Sequence, residues 1–252
     1  MIVARPWAAI TISCTTQSRR RLTAPAALYA PGVSAATRRP STDGIAMAVG
    51  LVVFAASAVI ASSGRVGVLE QNVFEAINGL PPALEGPATG LQFLGTLAIG
   101  PVVAVVALSV GRGRLALAAA VVTGAKLLAE RAIWEVVVRE RPGTTQVAAI
   151  VRGDVPTAGP SFVSGHVVLT TALAWLVMPS LPPRWRSVPW IVVGLVSFSR
   201  IYLGAHNPLD VVGGAALGLA IGALADLVFR PAPLDRARTS AEAAPMSSPT
   251  EV

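Results

Sequence analysis

Charge is scarce in this sequence. Of 252 residues only 13% are Asp, Glu, Lys or Arg, against roughly 25% in an average soluble domain. Hydrophobic residues make up 53%, and the mean hydropathy is +0.65. That balance excludes an ordinary soluble globular protein. It also excludes disorder over most of the length, because so apolar a chain would not stay solvated. Acidic residues are fewer than basic ones, 13 against 20, which leaves a formal net charge of +7. A nucleic-acid binder can be this basic, but it has no need for so much Ala, Val, Leu and Ile, so nucleic acid is not expected as a partner. Cysteine is nearly missing: Cys14 stands alone, which excludes an internal disulfide and a Cys-based metal site. The chain has two histidines, His166 and His206, and one lysine, Lys126; its other basic residues are all Arg. What remains favours an integral membrane protein with its basic residues in flanking loops.

Crossing about 30 Å of hydrocarbon takes roughly 20 helical residues. Six apolar runs approach that length, at about 44–61, 88–110, 114–138, 162–181, 187–203 and 207–229. The expected fold is therefore all-α, a six-helix transmembrane bundle whose Gly and Ala let helices pack closely in lipid. Between the first two runs, Val68, Val73, Phe74, Ile77 and Leu80 recur at helical spacing. That stretch is too short and polar to span, and predicts a short interfacial helix. Three regions follow: a disordered basic tail over 1–42, a membrane domain over 43–230 and a second disordered tail over 231–252. No signal peptide is expected, because no apolar core directly follows the Arg19–Arg21 cluster.

Counting Lys and Arg by side sets the orientation. The two tails and the loops at 111–114 and 182–186 hold 13 of them. The opposite side holds five: Arg65, Arg139, Arg141, Arg152 and Arg200. Both tails are therefore expected in the cytoplasm, with the loops 62–87, 139–161 and 204–206 outside or in the periplasm.

Polar residues concentrate at the outward ends of spans three to six. They comprise Arg139-Glu140-Arg141-Pro142, Ser161 to His166, Ser199-Arg200, and His206-Asn207-Pro208-Leu209-Asp210. Ionisable groups near a membrane are costly and default to functional hypotheses. Arg141 and Arg200 are permanently charged forks suited to phosphate oxygens. Ser164 and Gly165 open a helix, whose N–H groups and dipole favour an anion. Asn207 is expected to cap the last helix and Pro208 to start it. Asp210 then falls in its first turn, near enough to accept from one nitrogen of His206 and leave the other free to attack. His166 is the available general acid. Both histidines fall in this one cluster.

These residues resemble the type 2 phosphatidic acid phosphatase superfamily, whose signatures are Lys-x6-Arg-Pro, Pro-Ser-Gly-His and Ser-Arg-x5-His-x3-Asp. The third is intact, from Ser199-Arg200 through His206 to Asp210. The second reads Val163-Ser164-Gly165-His166, with Val for Pro; the first keeps Arg141-Pro142 but has Trp134 at its Lys position. The resemblance covers roughly 44–229. It implies that His206 attacks phosphorus to form a phosphohistidine, that Asp210 orients it, and that His166 protonates the leaving group. Arg141, Ser164, Gly165 and Arg200 would bind the phosphoryl oxygens, with no metal or other cofactor. Losing the Lys removes a cation worth several kcal/mol in the transition state. Arg139 and Arg152 are the expected replacements. Lys126 lies eight residues before Trp134, about 12 Å along a helix, and is expected to pair structurally with Glu130, as Arg131 does with Glu135.

The expected activity is hydrolysis of a lipid phosphate or isoprenoid diphosphate at the outer face, with a membrane lipid as substrate. The alternative is a non-catalytic lipid-phosphate binder or transporter that has lost the first-signature Lys. The intact His206–Asp210 pair argues against it, since a pure binder has no use for a nucleophile.

Overall fold

The structure is a computed structural model and describes residues 40–229. The expected tails lie outside the described residues, apart from positions 40–42, which already belong to a helix.

The order is α1 (Pro40–Ala61), α2 (Val68–Asn78), α3 (Glu85–Gln92), α4 (Ile99–Ser109), α5 (Gly113–Val136), α6 (Pro142–Thr145), α7 (Gly165–Val177), α8 (Val188–Tyr202) and α9 (Pro208–Phe229). Single turns of 3-10 helix lie at Pro82–Leu84, Phe93–Gly95, Met178–Ser180 and Pro183–Trp185. Among the described residues there is no strand, only an isolated bridge between Glu140 and Pro160. The all-helical expectation holds, and α2 occupies the place foreseen for a short helix.

The run 88–110 is not one straight helix. It forms α3, a 3-10 turn and α4, bent by 60° at the break. Pro101 explains where α4 starts: in an uninterrupted helix its ring would strike the carbonyl of Leu97. Within the first turn of α4 its missing N–H costs nothing.

By length and composition, Ser41–Ala61 and Pro208–Phe229 can each cross a bilayer, and the bent pair makes a third crossing if counted as one. The helix α5 is long enough at 24 residues, but it carries Arg114, Lys126, Glu130, Arg131 and Glu135. The helices α7 and α8 are shorter, at 13 and 15 residues.

Close packing around α9 positions the site. Gly214, Gly218 and Gly222 fall four residues apart on one face. A Cβ at these positions would lie 2.8, 2.3 and 2.9 Å from the carbonyl oxygens of Ser164, Val168 and Ala172. Only bare Cα atoms let α7 come this close, the small-residue solution used where helices pack in lipid. On another face, Gly50 of α1 admits the backbone of Ala216 and Ala220 in the same way. Among the described residues, nothing covers the far side of α1: Val52 and Val59 are 68% and 73% exposed. A helix apolar all round with such exposure suits lipid contact.

Candidate active site

The α8–α9 junction builds the first wall. The chain leaves α8 and reverses at Gly204, whose φ of +74° favours glycine. The turn brings the amides of Ala205 and His206 onto the carbonyl of Arg200, at 3.1 and 3.2 Å. His206 is thereby tied to the end of the helix that carries Arg200. The helix α9 starts at Pro208, as expected. Its N-terminus is closed by Asp210, which accepts the Asn207 amide at 2.8 Å, and by Glu70 of α2, which accepts the Leu209 amide at 2.9 Å. The Asn207 side chain does not cap; its Oδ1 accepts from Gln146 Nε2 instead.

His206 differs from expectation in its partner. Its Nδ1 lies 2.9 Å from the carbonyl oxygen of Ser161 and 3.8 Å from Asp210 Oδ2. A carbonyl only accepts, so Nδ1 carries the proton and Nε2 is left with its lone pair. Burial pushes the pKa of His206 down to about 4, against the pull of the Asp210 carboxylate. The imidazole is therefore neutral at physiological pH, the state a nucleophile needs.

Asp210 is fully buried and heavily engaged. Besides the Asn207 amide it accepts from Ser161 Oγ, and from Arg139 Nη1 at 3.3 Å. Arg139 is itself 1% exposed and holds Glu70 at 2.6 Å through Nη2. Ser161, Arg139 and Glu70 thus form a layer behind His206. Sequence reasoning assigned no site role to Ser161 or Glu70. Glu70 sits on a helix remote in sequence, and no spacing rule links it to position 210.

The second wall is the N-terminus of α7. Val163 precedes it, in place of the expected Pro, and the Phe162–Val163 peptide is cis. The Ser164 amide was expected to face an anion, but it donates to the Asp210 carbonyl at 3.0 Å. The amides of Gly165 and His166 are the first two of the helix and have no intrahelical acceptor. Ser164 Oγ is fully buried and has no hydrogen-bond partner among the described residues. His166 lies within electrostatic reach of His206, Arg200, Arg141 and Lys126. The α3–α4 bend covers it: a Cβ on Gly95 would lie 2.7 Å from His166 Cβ.

Arg141 and Arg200 complete the cluster. Arg141 Nη1 donates to the Ala205 carbonyl at 2.8 Å, and Arg200 Nη1 donates to Gln92 Oε1. The Nε atoms of both are buried and have no hydrogen-bond partner among the described residues. Burial lowers the pKa of Arg141, opposed by Asp210, Glu130 and Glu140 in that order. The structure therefore brings together all seven residues expected in the site.

The two expected replacements for the missing Lys are spoken for. Arg139 is bound between Glu70 and Asp210. Arg152 donates to the carbonyls of Tyr202 and Leu80 and lies 4.2 Å over the Tyr202 ring. Lys126 pairs with Glu130 at 2.5 Å, as expected. Arg131 and Glu135 are instead both exposed.

Comparisons with known proteins give a family match and a fold likeness. Residues 113–232 match the PAP2 superfamily. Over 98 residues the chain is 40% identical to a decaprenylphosphoryl-5-phosphoribose phosphatase of Mycobacterium tuberculosis, covering 38% of this chain and 51% of that protein. Over 78 residues it is 36% identical to an undecaprenyl-diphosphatase of Sulfolobus acidocaldarius, covering 30% and 37%. At most, the chain spans about half the length of these curated relatives. Its fold is similar to that of LpxE from Aquifex aeolicus, with a TM-score of 0.56 at 20% identity over 63% of this chain and 95% of that one. It is also similar to a transmembrane PAP2-type phosphatidylglycerolphosphate phosphatase from Bacillus subtilis, with a TM-score of 0.53 at 24% identity over 71% and 94%.

Proposed function

We propose, from the match of residues 113–232 to the PAP2 superfamily, that the chain is an integral membrane phosphatase releasing phosphate from a lipid phosphate or isoprenoid diphosphate. The observation that carries the reading is the buried, neutral His206, its Nδ1 proton held by the Ser161 carbonyl and its charged surroundings suited to a phosphoryl group.

In the first step, Nε2 of His206 attacks phosphorus and the bond from phosphorus to the leaving oxygen breaks. His166 gives that oxygen its proton. In the second step, His166 takes a proton from water, the resulting hydroxide attacks phosphorus, and the P–N bond to His206 breaks to release phosphate. Arg141, Arg200, the Ser164 hydroxyl and the first amides of α7 stabilise the equatorial oxygens. Asp210 acts on His206 indirectly, by fixing Ser161 and the start of α9.

The chain crosses the membrane six times in this reading, using α1, the α3–α4 pair, α5, α7 with its 3-10 extension, α8 and α9. The Lys126–Glu130 pair of α5 packs against the start of α7, and the short α7 and α8 end in loops that stay near the interface. The 13-to-five split of basic residues supports cytoplasmic tails and an active site that faces outward. A headgroup enters the polar cluster while its tail remains in lipid. The named relatives support lipid and isoprenoid phosphates as the substrate class.

The test is phosphate release from a panel of lipid phosphates and diphosphates by detergent-purified protein, wild type against His206→Ala. Turnover lost on that substitution supports the reading. Turnover that survives it sinks the phosphohistidine route, and phosphate binding without turnover on any substrate favours the non-catalytic binder.

A further inference from the structure

Gly165 has no room for a side chain, and what fills the space is charged. A Cβ there would lie 2.2 Å from Glu130 Oε1, 2.6 Å from Lys126 Cε and 2.7 Å from Lys126 Nζ. The Lys126–Glu130 pair therefore does not sit in a remote part of the bundle. It presses against the first residue of α7, with side chains only 13% and 14% exposed. Lys126, Glu130 and Trp134 are spaced four residues apart, so they lie along one ridge of α5. The ridge that should carry the first-signature cation at 134 carries one two turns earlier.

The electrostatics of this placement point to an anion. A helix N-terminus bears about half a positive charge and favours acidic neighbours. Here it meets the Glu130 carboxylate and, beside it, the Lys126 ammonium. Arg141 and Arg200 add two more positive charges to the cluster, and Asp210 is already offset by Arg139. Glu70 shares Arg139 with Asp210, and Glu130 and Glu140 act on Arg141, but the charges that act on His166 are those of Arg200, Lys126 and Arg141. Fully buried at the same helix start, Ser164 Oγ has no hydrogen-bond partner among the described residues.

We propose that Lys126 is the cation of the phosphate site that the chain lacks at Trp134. Its ammonium contacts a phosphoryl oxygen at the N-terminus of α7, and Glu130 is the internal counter-ion whose hold on it that oxygen shares. The proposal rests on the phosphoryl site described above, but not on turnover. A lysine suits the role, as a compact charge with three donors on a flexible stem. This also explains why Gly165 must lack a side chain: any Cβ would push the ammonium away from the amides it works with.

The experiment titrates inorganic phosphate into the purified full-length protein in detergent and follows the melting temperature, which rises with ligand bound to the folded state. Wild type is stabilised by phosphate. Lys126→Met weakens apparent phosphate affinity by at least about tenfold, the loss of one charge-assisted hydrogen bond. Lys126→Arg stays within about threefold of wild type, because the charge is kept. Glu130→Gln moves the other way and tightens binding, because Lys126 loses its competitor. A purely structural ion pair predicts the reverse: both neutralising variants lower the melting temperature, and neither changes the response to phosphate. Unchanged phosphate binding in Lys126→Met overturns the proposal, as does a wild type that phosphate does not stabilise. Should Lys126→Met not fold, Glu130→Gln decides, and weaker binding in it is the overturning result. If phosphate binds in a Lys126-dependent way but no lipid phosphate is turned over, the phosphatase reading falls and this inference stands.

Discussion

The two walls of the phosphate cradle are built in different ways. In the α8–α9 wall, Ser199, Arg200, His206, Asn207 and Asp210 are all buried, and the turn that joins them is closed by its own backbone hydrogen bonds and by Asp210 on the Asn207 amide. Every member lies within 12 positions of sequence, so the wall travels as one local unit. The α5 wall is assembled over a longer distance. Its expected cation at 134 is an indole whose Nε1 is buried without a partner, and the nearest ammonium comes from Lys126, two turns away along the helix. A local unit preserves its spacing because the turn at Gly204 and the start of α9 fix it. A helix wall needs only a charge on the right ridge, and several positions along that ridge can supply one.

Four substitutions or conditions break or sharpen this contrast. Asp210→Asn should have the largest effect, because it leaves the Arg139 charge buried with a weaker partner. A loss of about 3 kcal/mol in stability is expected, the scale for breaking a buried pair, with activity down by about 100-fold or more. The checks are the chemical-denaturation midpoint and phosphate release. If stability is unchanged, the local wall is not held by its carboxylate. Gly218→Ala comes next. Its Cβ would meet the Val168 carbonyl at 2.3 Å, so α7 must move away from α9, at a cost of about 1–3 kcal/mol. The melting temperature falls, and turnover falls with it because Ser164 and Gly165 ride on α7.

The third test is pH. His206 titrates at about 4 rather than its usual 6.5 because it is buried. Its neutral form persists as pH falls through 6, so the acid limb of kcat/KM for that group lies near 4. The unfolded chain, with an ordinary histidine, takes up the proton first. Stability therefore rises with pH between about 4 and 6.5, and is lost as pH falls through that window. An acid limb at 6.5 assigned to His206 would contradict its burial. The smallest effect is expected from Trp134→Lys. With Lys126 already supplying the cation, activity should change by less than about threefold, against the hundredfold scale for restoring a missing transition-state donor. A hundredfold gain would show the α5 wall to be deficient.

Much of this molecule was legible from its residues. The order of the helices followed from apolar runs, and the seven residues that the structure brings together came from four short polar clusters. The break in 88–110 was written in Pro101, but an apolar count does not weigh a proline's position. The partner of His206 was out of reach. Asp210 has the right spacing, yet the Ser161 carbonyl intervenes, and backbone acceptors leave no trace in side-chain identity. Lys126 pairs with Glu130 as their spacing predicts, but what the pair packs against was out of reach. Distance along one helix axis says how far Lys126 lies from Trp134, but not which residue of α7 lies opposite. Gly165 is opposite, and its missing side chain is the space the lysine occupies.

The most direct measurement is to trap the covalent intermediate. Purified protein is mixed with a lipid phosphate labelled on phosphorus, quenched in alkali within the first turnover, and mapped for bound label. The account predicts an alkali-stable, acid-labile label on His206 that is absent from His206→Ala. Efficient turnover with no labelled protein, or label on another residue, would contradict it.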